Sequence, residues 1–175
     1  MSIDRRQLRL VAGRRSEEPT PMLIERAVHV AASRQALFTY LANLENNPEW
    51  NWAVKSVTSL RVADPAQGVR YSQERVSGGD ETDLLEITRY EPDEHLEIKG
   101  VINEGHVTYR HHLIRLTSKS TRLRTSVELV PNEPVARPDL YAARLVAAVS
   151  ANLETLMSRF ENTTSARLTS RSRTT

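Results

Sequence analysis

Between residues 54 and 130 the chain breaks into six β-patterned runs, and the shortness of the links between them limits the fold more than any other feature. The runs are 54–63, 69–77, 81–91, 94–103, 105–117 and 121–130. "DPAQG" (64–68), "SGGD" (77–80) and "EPDE" (91–94) supply Gly, Pro and Asp for tight turns, and "NEG" (103–105) and "SKS" (118–120) suit hairpin loops. Parallel neighbours would need crossovers of about a dozen residues or more, so the segment predicts an antiparallel meander.

Helical patterns flank the meander. "MLIERAVHVA" (22–31) alternates as a strand. Ser33 is then a good N-cap for a helix carrying Leu37, Tyr40, Leu41 and Leu44 at helical spacing, and Pro48 in "NNPEWNW" can open a short second helical turn. "PNEPVARPD" (131–139) ends the strands with three prolines. In "LYAARLVAAVSANLETLMSRF" (140–160), Ala142, Val146, Val149, Leu153, Leu156 and Phe160 form an apolar stripe that can lie against a sheet. These elements predict an α+β domain over residues 21–162. It has a curved antiparallel sheet of about seven strands, two short helices after the first strand, and a long C-terminal helix covering the sheet.

The formal net charge of +2 invites a nucleic-acid reading. Its distribution argues against one. Residues 1–20 hold five Arg against three acids, and residues 163–175 hold three Arg and no acid. Taken from totals of 24 basic and 22 acidic residues, this leaves 16 and 19 between the tails. The basicity belongs to two segments read as disordered tails, 1–20 and 163–175, and the domain shows no basic stripe interleaved with aromatics. No run of about 18 apolar residues predicts stable membrane insertion, and the first residues lack the apolar core of a secretory signal. The absence of cysteine rules out disulfides and thiolate metal sites and fits a reducing cytoplasm. The five histidines show no metal-binding spacing, and no GxSxG elbow or glycine-rich phosphate loop occurs, so neither metal nor cofactor is expected.

The order and spacing of three segments resemble a known family. They are "VHVAASRQALFTYLANLENNPEWNWAVKSV" (28–57), Gly68 with "VRY" and "EITRYEPDEHL" (86–96), and "STRLRTSVEL" (120–129). Together they resemble the START-like, helix-grip superfamily (SRPBCC), and within it the polyketide cyclase/dehydrase family, over about residues 22–161. The resemblance implies a cavity between sheet and C-terminal helix. It does not choose among ring cyclases, dehydratases, lipid carriers and other ligand binders, because one fold hosts many functions.

Strand alternation assigns the faces. Leu123, Thr125, Val127 and Leu129 share one side, and Leu96, Ile98, Gly100 and Ile102 another; both sets are read as facing the helix. In 105–117, placing Arg115 in solvent puts Ile114 and Leu116 inside, together with His112, Arg110 and Thr108. His112 could then move a proton and Arg110 stabilise a developing oxyanion, the two groups an aldol-type cyclisation or dehydration needs. Asp83 and Glu86 on the neighbouring strand are candidate carboxylate partners that would give the pair a structural role instead. Tyr71, Gln73, Trp50, Trp52, Ile98, Ile114, Asn152 and Leu153 complete the predicted ligand-binding set.

Three functions follow. The first is binding of a small hydrophobic, aromatic or polyketide-like molecule in a cavity of several hundred Å³, with cyclisation or dehydration as the associated chemistry. The second is a carrier or sensor that uses the same cavity without proton transfer. The third is an interaction module or homodimer. It rests on Val107, Tyr109 and Leu113, which this register turns outward as an apolar patch.

Overall fold

The computed structural model describes residues 19–77 and 82–171. Seven strands form one antiparallel sheet: β1 (Met22–Val30), β2 (Val54–Ser59), β3 (Arg70–Arg75), β4 (Thr82–Glu91), β5 (His95–Ile102), β6 (Gly105–Arg115) and β7 (Thr121–Pro131). Their spatial order is β1-β7-β6-β5-β4-β3-β2. The meander expected from the short links therefore runs from β2 to β7, and β1 closes on its far edge. Helix α1 (Arg34–Ala42) and a 3-10 helix (Leu44–Glu49) lie between β1 and β2, and α2 (Pro138–Arg171) follows β7.

The local chemistry explains the breaks. Ser33 Oγ accepts from Ala36 N at 3.2 Å and caps α1. Asn43 ends α1 and then caps the 3-10 helix, its Oδ1 accepting from Glu45 N. Asp93 takes the left-handed turn between β4 and β5 with φ of 66°. Pro138 opens α2, where a missing N–H costs nothing.

The core lies between the sheet and the helices. Leu37, Phe38, Leu41 and Leu44 from the first helical segments meet Tyr71, Leu85, Ile87, Leu96, Leu113 and Leu123 from the sheet, closed by Leu153 and Leu156 of α2. A smaller cluster, Val107, Val127 and Leu129, is covered by Tyr141, Leu145 and Val149. The first half of α2 thus packs through Tyr141 and Leu145, one residue off the predicted Ala142 and Val146. The second half packs through Leu153 and Leu156 as expected.

One predicted boundary shifts. Residues 1–18 and 172–175, within the predicted tails, and residues 78–81, three of the "SGGD" turn and the first of the predicted strand 81–91, lie outside the described residues. α2 continues to Arg171, where a tail was expected from 163; "TTSARLTSR" contains neither Gly nor Pro to stop it. Among the described residues no helix is long and apolar enough to cross a membrane.

Candidate ligand-binding site

Strand β6 carries the main correction. Gly105, Val107, His111 and Leu113 are buried, whereas Arg110 is exposed and His112 and Ile114 are half-buried on the opposite face. His111 therefore points into the core, and His112, Arg110 and Ile114 leave the predicted site. Arg115 caused the misreading. It shares parity with buried Leu113, but it ends the strand, where an inward-facing charged side chain can still reach water. The same reversal removes the predicted interaction patch, because Val107, Tyr109 and Leu113 are packed in the core clusters.

The predicted carboxylate partners do not meet the pair either. Arg110 donates to Glu97 and Glu128, each at 2.9 Å. Glu86 pairs with Arg70 at 2.7 Å. Asp83 is buried on the inner side, accepting from Gln73 Nε2 at 2.9 Å and from Arg75 at 2.7 and 3.1 Å. Arg75 reaches on to Glu104 at 2.8 Å.

Inside the fold, Trp50, Asn51, Gln73, Ile98, Tyr109 and His111 line a cavity of about 30 Å³. This is room for ordered water but far below the several hundred Å³ expected, because Phe38, Leu41, Leu96 and Leu156 fill the space between sheet and helices. Its walls are unusually polar for a core. His111 Nδ1 lies 3.0 Å from Thr125 Oγ1. Burial lowers the His111 pKa to about 4, so the imidazole is neutral at pH 7 and acts through hydrogen bonds. Burial also pushes the Tyr109 hydroxyl up to about 12. The contact with Asp83 fixes the Gln73 amide, leaving its carbonyl oxygen as the remaining polar atom. Trp50 Nε1 is buried with no hydrogen-bond partner among the described residues.

The other predicted residues divide. Tyr71 and Gln73 share the inner face of β3, and both are buried. Ile98 and Leu153 are core residues. Trp52 is 64% exposed and stands outside the cavity. Asn152 on α2 acts from behind: its Nδ2 donates to Asn51 Oδ1 at 3.0 Å, and its Oδ1 accepts from Trp52 N at 3.4 Å. Sequence reasoning missed His111, Tyr109 and Asn51. The first two were assigned to the wrong face. Asn51 had a signal, since a polar residue between two tryptophans in a turn is well placed to bond the backbone. Glu91, Glu94 and His95, at the β4–β5 turn, bring potential metal-ligand atoms within 4.8 Å of one another, but Arg89 and Arg34 already hold the two acids.

Comparison with known proteins agrees with this architecture. The sequence profile of a family described as "Polyketide cyclase / dehydrase and lipid transport" matches residues 22–161. A START superfamily protein from Mycobacterium smegmatis superposes with a TM-score of 0.68 at 17% identity, covering 81% of this chain and 98% of that one. The Zhui aromatase/cyclase from Streptomyces sp. R1128 superposes with a TM-score of 0.61 at 16% identity, covering 85% and 96%. Ara h 8.0201 gives 0.64 at 12% identity, covering 82% and 99%. At these identities the structures show a shared fold and nothing finer. A search of curated proteins finds no match.

Proposed function

Because this chain belongs to the polyketide cyclase/dehydrase and lipid transport family, we propose that it binds a small apolar or aromatic molecule carrying one hydrogen-bond acceptor, seated between the sheet and the Trp50 turn. The buried indole N–H of Trp50 carries this reading. An orphaned buried donor costs about 1–3 kcal/mol, and a ligand oxygen delivered to it recovers that loss. Gln73 and His111 offer further polar contacts beside the apolar walls of Leu85 and Ile98. A cavity of about 30 Å³ accepts only the polar end of such a ligand. The rest gains room when the turn formed by Trp50 and Asn51 moves away from the sheet.

Binding without proton transfer is favoured over cyclisation or dehydration. The His112–Arg110 pair on which the catalytic reading rested lies on the other face of the sheet. A neutral His111 with a pKa of about 4 is a weak base for removing a proton at pH 7.

Native mass spectrometry of freshly purified protein, then tryptophan-fluorescence titration with a panel of fatty acids and polycyclic aromatic ketones, tests the proposal. Saturable one-to-one binding is expected. Trp50→Phe keeps the ring but removes the donor, and it should weaken binding about tenfold. No uptake of any panel member by a folded protein, or equal affinity in Trp50→Phe, would overturn the reading.

A further inference from the structure

A second cavity, of about 500 Å³, lies on the outer face of the sheet. Strand register explains it. One transverse row reads Ala27, Arg124, His112, His95 and Glu91 from β1 to β4. The next reads Glu25, Ser126, Arg110, Glu97 and Arg89. Ala27 and Ser126 are short side chains beside long ones, so they leave a floor walled by Arg124, His112 and Arg110.

The charges in the two rows are not equivalent. In the second row Arg110 is held by Glu97 and Glu128, and Arg89 is held by Glu91 at 2.8 and 3.0 Å. In the first row Arg124 has no acceptor among the described residues. Beside it the His112 and His95 rings stack with centroids 4.3 Å apart and planes 11° from parallel. Around His112 stand His95 on β5, Arg124 on β7 and Arg89 on β4, with Glu94 in the β4–β5 turn opposing them. Glu25, Glu97, Arg26 and Arg110 line the same groove, and Glu91 and Glu128 stand beside it in ion pairs with Arg89 and Arg110. Partial burial, then the neighbouring His95 and Arg124, lower the His112 pKa. The groove thus sets the Arg124 guanidinium, which has no acceptor among the described residues, beside the His112 and His95 rings.

We propose that this groove binds a phosphate-type oxyanion, held by Arg124 and His112 above the floor formed by Ala27 and Ser126. A guanidinium offers a planar fork to two phosphate oxygens, and a protonated imidazole offers a third charge-assisted donor. A dianion matches these two positive charges better than a carboxylate does. A bound anion offsets the repulsion that His95 and Arg124 add to the effect of partial burial, so binding and His112 protonation favour each other. The site lies on the face of the sheet opposite the Trp50 cavity, so it stands or falls independently of the ligand proposed there.

The test follows the His112 and His95 ring C–H signals by NMR while inorganic phosphate is added against sodium chloride of equal ionic strength. A saturable shift specific to phosphate is expected, with the His112 midpoint moving upward. Binding should be about tenfold weaker in Arg124→Gln. Arg124 is exposed, so this variant keeps the core, and its amide spectrum verifies the fold. A second arm sediments the full chain with phosphatidylcholine vesicles with and without phosphatidic acid. Sedimentation that needs phosphatidic acid and Arg124 assigns the phosphate to a lipid headgroup. Saturable binding of inorganic phosphate without sedimentation assigns it to a soluble phosphate. Absence of a phosphate-specific shift, or an equal shift in Arg124→Gln, overturns the site.

Discussion

Adjacent histidines on β6 meet opposite fates, and the difference is measurable. His111 is buried against Thr125, whereas His112 stacks on His95 at the surface. The folded-state pKa of His111, about 4, lies below the ordinary histidine value of 6.5. The unfolded chain therefore binds a proton that the folded protein refuses. Stability is whole above about pH 6.5 and declines as pH falls towards about 4, by about 3 kcal/mol in total. Urea unfolding across that range should show the decline in the wild type and a flatter profile in His111→Gln, which cannot titrate. Identical slopes in the two proteins would place the protonation elsewhere. The sequence displayed both imidazoles and the rule that only one can face inward. What it could not display was that Arg115 ends the strand, because the reach of helical cover across a sheet is a tertiary property.

Whole elements were more legible than that one register. Every strand of the meander forms, because its connections are short and their turn residues leave the backbone few alternatives. The faces of β5 and β7 were readable because Leu96 and Ile98 alternate with Glu97 and Lys99, and Leu123, Val127 and Leu129 alternate with Arg122, Arg124, Ser126 and Glu128. The α2 stripe was readable from Val149 onward; before it, Tyr141 and Leu145 compete with an equally apolar Ala142 and Val146, and packing on Val107, Val127 and Leu129 decides. Two glycines separate what a turn needs from what its surroundings need. Gly68 has φ of 84° with nothing within 4 Å of an added Cβ. Gly105 has φ of 155°, and its added Cβ would lie 2.0 Å from Val130 O and 2.8 Å from Pro131 Cα. Gly68→Ala should cost about 1 kcal/mol for the left-handed backbone alone. Gly105→Ala should cost about 3 kcal/mol, since backbone of β7 must also move. Denaturation midpoints of the two variants measure the contrast, and equal losses would mean that β7 yields easily.

At the scale of the molecule, the small interior turns ligand uptake into a question of movement. The fold family and the polar cavity wall support a binding role, yet the space is about 30 Å³. Cavity size was beyond sequence reasoning because it is the difference between two large volumes, that enclosed by the sheet and helices and that of the side chains within. Around its middle α2 is held by two hydrogen-bonded attachments, with the ion pair of Arg159 and Glu49 further along: Arg26 Nε donates to Ser150 Oγ at 3.2 Å on the β1 side, and Asn152 joins Asn51 and Trp52 on the other. The second bears directly on the cavity, because Asn51 and Trp50 form part of its wall. If the turn moves to admit a ligand, these two hydrogen bonds break on the way in and re-form afterwards. They then raise the barrier without adding much to the final affinity. Asn152→Ala should accelerate uptake of a bound panel compound about tenfold, the effect of losing roughly 1.4 kcal/mol from the barrier. Its equilibrium affinity should change far less. Stopped-flow quenching of tryptophan fluorescence reads both quantities. An unchanged rate at unchanged affinity would mean that the ligand passes elsewhere, and the other attachment, through Ser150→Ala, would then be the one to release.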